Sequence, residues 1–213
     1  MKQDLWSYEA LHSALGGQAL PATRAPVSGV AIDSRQVVPG DLFVALKGDP
    51  GPRFTVTERS DRDGDDFVEA AVAAGAQAVL SHRSRGSLQA DQFILEDTLD
   101  GLWRLGAARR AALTGWVIAV TGSSGKTTCK TFLAAALDAF ATAGSLNNHL
   151  GVPLSLARTP AGPRPGVYEL GMNHPGEIAP LSRLVQPHSA GVLNVRDAHA
   201  EAFADRFGIR QEQ

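Results

Sequence analysis

Residues 116–132 read WVIAVTGSSGKTTCKTF, and this stretch decides the fold class of the chain. Its first five residues are apolar almost without interruption, which is typical of a strand buried on both faces of a parallel sheet. A loop rich in glycine and serine follows, and the pattern then becomes helical over 126–140. The order of strand, loop and helix predicts an α/β fold in which parallel strands alternate with helices.

The loop TGSSGKTT (121–128) has the composition of a phosphate-binding loop. Its glycines allow a tight turn, so that successive backbone N–H groups converge on phosphate oxygens at the positive end of a helix. In such loops the lysine, here Lys126, reaches the β- and γ-phosphates of a nucleotide, and the next hydroxyl, here Thr127, binds Mg²⁺. The common pattern has glycine where this chain has Val120. The alternative interpretation of this segment is therefore a turn rich in glycine and serine that carries a lysine but binds no phosphate.

Two later strands end in side chains that suit a metal or phosphate site. The predicted strand 166–170 ends near Glu169, whose carboxylate is the kind of hard oxygen ligand that Mg²⁺ prefers. The predicted strand 190–195 carries Asn194 near its end, and His199 follows shortly. Open parallel sheets bind ligands beyond the carboxyl ends of their strands. The alternatives are an ordinary strand-end acid for Glu169 and a surface or capping role for His199.

The sequence predicts two domains. Residues 1–85 have the pattern of a small α/β domain, residues 83–90 are polar without periodicity and form the candidate linker, and residues 86–213 contain the phosphate loop. The segment 48–65 is rich in proline, glycine and charge, which predicts a surface loop. The other predicted elements are helices at 7–15, 65–75, 97–113 and 176–185, and strands at 27–35, 41–46, 76–82 and 92–96.

The composition excludes several classes of protein. The chain has 213 residues, 44% of them hydrophobic, which allows one large or two small domains with a buried core. Its 20 basic and 22 acidic residues give a net charge of −2, without the basic excess of a nucleic-acid binder. No apolar run approaches the roughly 18 residues of a membrane span, and Asp4 and Glu9 interrupt the place of a signal sequence. A single cysteine, Cys129, agrees with a reducing cytoplasm.

Four stretches of the sequence resemble the Mur ligases, a family of enzymes of bacterial cell-wall synthesis. They are TGSSGKTTCKT (121–131), LNNHLGVPLSL (146–156), ELGMNHPGEIAPLS (169–182) and NVRDAHAEAF (194–203). The family's variant of the phosphate loop, TGxxGKT, explains Val120. A fifth stretch, DSRQVVPGDLFVALKG (33–48), resembles the family's N-terminal substrate-binding module. The resemblance implies a small N-terminal α/β domain that binds a UDP-sugar peptide, followed by a truncated ATP-binding domain with a phosphate loop and a parallel sheet.

The resemblance also implies an activity. Within the family, the Ser123-Ser124 pair and the double Asn147-Asn148 favour the branch that joins D-alanyl-D-alanine to UDP-N-acetylmuramoyl-tripeptide with ATP and Mg²⁺. The tripeptide carboxylate would attack the γ-phosphate of ATP, and the dipeptide amine would then displace phosphate from the acyl phosphate. Such an enzyme serves peptidoglycan synthesis, and with it cell shape and cell division, as a cytoplasmic monomer without a nucleic-acid partner.

The same resemblance gives roles to residues at matching positions. The implied catalytic residues are Lys126, Glu169 and His199. The implied metal ligands are Thr127, Glu169 and His199. The implied substrate contacts are Ser34, Arg35 and Asn148, with an exposed ion pair at a strand-end turn as the alternative for the first two. The implied nucleotide contacts are Gly122, Ser123, Ser124, Gly125, Lys126, Thr127, Thr128 and Asn147.

The sequence departs from the family pattern at three places. The loop 48–65 is longer than the family's connection, and Asp65 replaces the histidine of the family's Asp-Gly-His-Asp-Phe motif. The family's carbamylated lysine falls in register at about Gln213, and Lys130 is the last lysine of the sequence. The family's third domain and part of its central sheet have no counterpart in these 213 residues.

These departures lead us to expect weak Mg-nucleotide binding and no product from the isolated chain. One alternative is a module that binds UDP-muramyl-peptide or nucleotide without ligating. Another is a different amide ligase, either the sister Mur ligase that adds the third amino acid or a folylpolyglutamate synthase. The DSR and PGDLF segments within 33–43 argue against the folate enzyme, which lacks this module.

Overall fold

Helices and strands alternate along residues 3–49 and 61–195, the part of the chain that the computed structural model describes. They belong to two units, Met1–Leu105 and Gly106–Gln213. The elements are α1 (Tyr8–Leu15), β1 (Gln18–Leu20), β2 (Gly29–Ala31), β3 (Asp41–Val44), α2 (Val68–Ala73), β4 (Ala78–Ser81), β5 (Asp91–Ile94), α3 (Thr98–Ala111), β6 (Val117–Thr121), α4 (Lys126–Ala136), α5 (Gly151–Arg158), β7 (Gly166–Glu169), α6 (Ile178–Val185) and β8 (Ser189–Val192). The α/β class is confirmed.

The first unit has a five-stranded sheet in the order β1-β5-β4-β3-β2, parallel except for β1, which runs antiparallel to β5. Phe43 and Val79 on neighbouring strands pack with Val68 and Ala71 of α2 in its core. The strand predicted at 92–96 is therefore present as β5 but pairs in the first sheet. The division between the units falls inside α3, later than the sequence predicted, because a local pattern reveals a strand but not its partner.

The second unit has a three-stranded parallel sheet in the order β7-β6-β8 among the described residues. Strand β6 is central, and its Val117, Ala119 and Val120 are buried, as the continuous apolar run predicts. Ile118 is only partly buried, and Trp116, at the start of the predicted run, is 56% exposed and precedes the strand. In the registers, Val120 of β6 lies opposite Glu169 of β7, and Thr121 lies opposite Val192 of β8. Because the strands are parallel, their carboxyl ends meet at one edge, where the loop after β6 begins.

Two elements of the second unit differ from the sequence expectation. The pattern does not predict helix α5, because every residue from Gly151 to Ala157 is buried and no polar face reveals the helical period. Its Pro153 is the third residue of α5 and so lies in the first turn, the part of a helix that tolerates proline. The pattern at 190–195 predicts a short apolar strand, whereas β8 spans Ser189–Val192 and its Val192 is 52% exposed at the edge of the sheet.

None of the helices in residues 3–49 and 61–195 combines the length and the apolar character that crossing a membrane requires.

Candidate functional site

The loop between β6 and α4 depends on two glycines. Gly122 has φ +138° and Gly125 has φ +83°, which is the left-handed region where side chains are strained. Gly125 is the N-cap of α4, whose first residue is Lys126. A Cβ atom at Gly122 would lie 3.1 Å from the backbone nitrogen of Asn194, so the close approach of this backbone also favours glycine. These constraints explain the spacing of glycines that the sequence shows.

Positive charge is concentrated at the start of α4. The Nζ of Lys126 donates to the carbonyl oxygen of Gly122 at 2.6 Å, which holds the ammonium over the loop. The backbone N–H groups of Lys126, Thr127 and Thr128 lie in the first turn of α4, where a helix supplies no partner of its own. Together with the helix dipole, this arrangement favours a bound anion such as a phosphate group.

Thr127 on α4 and Glu169 at the end of β7 meet beside the loop. The Thr127 hydroxyl donates to Glu169 Oε2 at 2.9 Å. A hydroxyl oxygen and a carboxylate oxygen are both hard ligands of the kind that Mg²⁺ prefers. The pair therefore suits a magnesium ion, which would add positive charge to neutralise phosphate oxygens.

Glu169 is almost fully buried and is held by several donors. Its Oε1 accepts hydrogen bonds from Asn147 Nδ2 at 2.7 Å and Ser145 Oγ at 3.0 Å. Burial by itself raises the pKa of the carboxyl group. The hydrogen bonds from Asn147, Thr127 and Ser145 act in the opposite sense, and the charge of Lys130 adds to them. The pKa of Glu169 therefore lies below its ordinary value, and the carboxylate is ionised in the neutral pH range.

Lys130 is a member of this site that the sequence reasoning missed. Its side chain is 2% exposed, and its Nζ lies 3.5 Å from Glu169 Oε2 while donating to the carbonyl oxygen of Gly144. A buried ammonium requires such partners. The signal was available, because Lys130 follows Lys126 by one helical turn and so lies on the same face of α4.

An open cavity of about 320 Å³ lies above these side chains. It is lined by Ser123, Ser124, Gly125, Lys126, Thr127, Thr128, Ser145, Asn147 and Glu169. All of these except Ser145 are candidate site residues from the sequence. The structure thus brings together the loop, the predicted metal ligands Thr127 and Glu169, and Asn147.

Asn148 lies beside this site but its side chain has a different contact. Its Oδ1 accepts hydrogen bonds from the backbone N–H groups of Leu150 at 3.1 Å and Gly151 at 2.9 Å, at the start of α5. Asn148 is not among the residues that line the cavity. Its implied role in substrate binding remains a prediction. His199 lies outside the described residues, and so its implied metal and catalytic roles also remain predictions.

Ser34 and Arg35 lie in the first unit, in a short 3₁₀ turn (Ser34–Gln36) that follows β2. The Arg35 guanidinium pairs with Asp33 through two contacts, at 2.7 and 2.9 Å, and its side chain is 85% exposed. The side-chain hydrogen bond from Arg35 is the main reason that the pKa of Asp33 is lowered to about 2. The exposed ion pair that the sequence allowed is present, and the substrate contact remains a prediction.

Asp65, which replaces the family's histidine, is fully buried in the first unit. Its carboxylate accepts backbone hydrogen bonds from His82 at 3.3 Å and Arg83 at 3.1 Å. The guanidinium of Arg85 lies 3.7 Å away. Asp65 therefore joins the end of β4 to the turn before α2, and its burial leaves it no exposed surface for a substrate.

Comparison with protein families agrees with the geometry of the site. The model described as "Mur ligase family, catalytic domain" matches residues 26–96, and "Mur ligase middle domain" matches residues 120–212. The two matches together cover most of the chain. The chain belongs to the Mur ligase family. Its members are named as ligases.

Two curated relatives in the Mur ligase family carry the same name, UDP-N-acetylmuramoyl-tripeptide–D-alanyl-D-alanine ligase. The protein from Escherichia coli (strain K12) is 40% identical over 187 residues, which is 86% of this chain and 39% of the relative. The protein from Bacillus subtilis (strain 168) is 38% identical over 191 residues, which is 87% of this chain and 39% of the relative. The chain thus matches about two fifths of the length of these relatives.

Solved structures of Mur ligases have the same fold. The crystal structure of MurF from Acinetobacter baumannii is 38% identical, with a TM-score of 0.81, and the match covers 100% of this chain and 46% of that one. The crystal structure of MurF ligase from Thermotoga maritima in complex with ADP is 35% identical, with a TM-score of 0.67, and the match covers 86% of this chain and 41% of that one.

Proposed function

We propose that this chain contributes the nucleotide-binding site of an ATP-dependent ligase that joins D-alanyl-D-alanine to UDP-N-acetylmuramoyl-tripeptide. The observation that carries the proposal is the contact between Thr127 and Glu169 beside the phosphate loop, with Lys126 held over the same cavity. The names of the relatives support the choice of substrates. The relative from Thermotoga maritima, in complex with ADP, supports a nucleotide at this loop.

In the proposed reaction, the residues of this chain position the substrates and neutralise charge on the phosphate groups. They do not form a covalent intermediate. The carboxylate of the tripeptide attacks the γ-phosphorus of ATP, ADP leaves, and an acyl phosphate forms. The amine of the dipeptide then attacks the acyl carbon, phosphate leaves, and an amide bond is made. Lys126 offsets charge on the phosphate oxygens, and Thr127 with Glu169 would hold Mg²⁺.

The first unit would bind the UDP-sugar peptide, with Ser34 and Arg35 at the turn after β2 as contacts. We propose that substrate binding belongs to the first unit, Met1–Leu105, and nucleotide binding to the second, Gly106–Gln213. A cytoplasmic, monomeric protein is proposed as well. The family's role in peptidoglycan synthesis and the lone, free Cys129 support the cytoplasmic location.

The replacement Lys126→Ala tests the nucleotide site. We expect Mg-ADP binding, measured by titration calorimetry, to weaken at least about tenfold, because charge-assisted hydrogen bonds to phosphate are lost. The matched control is Lys47→Ala, which removes an exposed lysine of the first unit and should leave binding unchanged. Equal binding by the wild type and Lys126→Ala would contradict the assignment of the phosphate loop.

A further inference from the structure

Asn194, two residues beyond β8, contacts both backbone polar groups of Ser124 in the phosphate loop. Its Oδ1 accepts a hydrogen bond from the Ser124 N–H at 3.0 Å, and its Nδ2 donates to the Ser124 carbonyl oxygen at 3.0 Å. The Ser124 hydroxyl also lies 3.3 Å from Oδ1. The side-chain amide of Asn194 therefore bonds to the loop as a residue of a neighbouring strand would.

The backbone on either side of this contact extends the pairing of β6 with β8 into the loop. The Leu193 N–H donates to the carbonyl oxygen of Thr121 at 3.0 Å, and the Ser123 N–H donates to the carbonyl oxygen of Asn194 at 3.0 Å. Gly122 lies between these bonds, and a Cβ atom there would lie 3.2 Å from the Asn194 carbonyl oxygen. The two backbones thus approach more closely than a side chain at position 122 would comfortably allow.

The contact changes which loop amides are available to a ligand. The N–H groups of Ser123 and Ser124 point to Asn194, although the sequence places both residues among the phosphate contacts. Phosphate contacts through backbone N–H groups are then left to Gly125 and to the first turn of α4. A loop with left-handed glycines at both ends is intrinsically flexible, so an unrestrained loop would lose conformational entropy on binding an anion.

We propose that Asn194 is a positioning residue, which holds the phosphate loop in its nucleotide-binding conformation before the nucleotide arrives. This inference rests on the proposed function, since it takes the ligand of the loop to be a nucleotide phosphate. An amide suits the task because it accepts one hydrogen bond and donates another at the same position. An aspartate there keeps the acceptor but loses the donor to Ser124.

The test combines amide hydrogen exchange with nucleotide binding in the purified 213-residue chain. In Asn194→Ala we expect the Ser124 amide to exchange at least about fivefold faster. The Ser123 amide should change less, because its acceptor, the backbone carbonyl of Asn194, is retained in the variant. Affinity for Mg-ADP should fall about tenfold, and the matched control Asn173→Ala, at an exposed position of the same unit, should leave both values unchanged.

The variant Asn194→Asp tests the role of the donor. It should retain slow exchange at Ser124, because a carboxylate oxygen still accepts from that N–H, while Mg-ADP affinity falls. Unchanged exchange in Asn194→Ala would show that the contact does not hold the loop. Faster exchange at Ser124 in Asn194→Ala with unchanged affinity for Mg-ADP would show that the contact restrains the loop but does not assist nucleotide binding, which would contradict the proposal. A wild-type chain that binds no Mg-ADP would contradict the proposed function, and exchange at Ser124 would still decide whether Asn194 restrains the loop.

Discussion

At the scale of single residues, the site depends on one buried carboxylate. Glu169 receives hydrogen bonds from Thr127, Ser145 and Asn147, and the ammonium of Lys130 lies 3.5 Å from its Oε2. These four groups belong to α4 and to the segment before α5, and Glu169 itself lies at the end of β7. The carboxylate that is proposed to bind Mg²⁺ therefore also joins three parts of the second unit.

The pair of Lys130 and Glu169 gives a prediction about stability. We expect Lys130→Met to lower the free energy of unfolding by about 3 kcal/mol, since it leaves a buried carboxylate without its counter-charge. The double variant Lys130→Met with Glu169→Gln should lose less than the sum of the two single changes, as measured by urea unfolding.

The exposed Lys47 supplies the control for this measurement. Replacing it in Lys47→Met should alter the free energy of unfolding by less than about 0.5 kcal/mol. Additive effects in the double variant would contradict an energetic coupling between Lys130 and Glu169.

At the scale of elements, α5 connects the site to the core of the second unit. Its first N–H groups are satisfied by the Asn148 side chain, and its last turn contacts β7, where the hydroxyl groups of Thr159 and Tyr168 lie 2.8 Å apart. The Asn147 carbonyl oxygen accepts from the Gly171 N–H at 2.8 Å, just beyond β7. The start and end of α5 are thus both tied to β7 or its continuation.

Asn148 should behave as a helix cap in solution. We expect Asn148→Ala to lower the free energy of unfolding by about 1 kcal/mol, because two N–H groups at the start of α5 lose their acceptor. Asn148→Asp retains the acceptor and should recover most of this loss. A thermal or urea unfolding series of the three proteins checks the prediction, and identical stabilities would show that the cap contributes nothing.

Tyr168 predicts a pH dependence of folding. Burial raises the pKa of Tyr168 to about 12, although the hydrogen bond with Thr159 and the charges of Arg110 and Arg109 oppose the rise. In the unfolded chain the tyrosine ionises near pH 10, so below pH 10 the neutral side chain makes its full contribution to the free energy of unfolding. It is lost as the pH rises toward 12, at about 1.4 kcal/mol per pH unit.

The variant Tyr168→Phe isolates this effect, since all other titrating groups are common to both proteins. At pH 8 the wild type should be more stable by about 1 kcal/mol, from the hydrogen bond with Thr159. This advantage should shrink to about zero near pH 11, as measured by urea unfolding. A constant difference from pH 8 to pH 11 would contradict the raised pKa.

At the scale of the whole molecule, the share of the relatives' length that the chain matches bears on the activity expected of these 213 residues. It matches 39% of the length of the relatives from Escherichia coli and Bacillus subtilis. We expect the purified 213-residue chain to bind Mg-nucleotide and to form no amide from UDP-N-acetylmuramoyl-tripeptide and D-alanyl-D-alanine. Phosphate release and mass spectrometry of the product measure this outcome. ATP-dependent turnover that Lys126→Ala abolishes would show that these residues suffice for ligation.

Much of the site was predictable from local pattern. The order of strand, loop and helix identifies Lys126 and Thr127, and the strand-end rule identifies Glu169, because both signals lie within a few consecutive residues. Helix α5 was not predictable in this way, since burial on all sides removes the contrast between apolar and polar faces. The membership of β5 in the first sheet also required knowledge of its partner strands.

The sequence by itself determined that a phosphate loop joins a buried strand to a helix, and that the chain resembles the Mur ligases. Only the tertiary structure decided that Asn194 forms hydrogen bonds with this loop and that Lys130 pairs with Glu169. The reason is distance along the chain: 70 residues separate Ser124 from Asn194, and 39 separate Lys130 from Glu169. Such contacts follow from the strand order β7-β6-β8, which no local pattern of residues encodes.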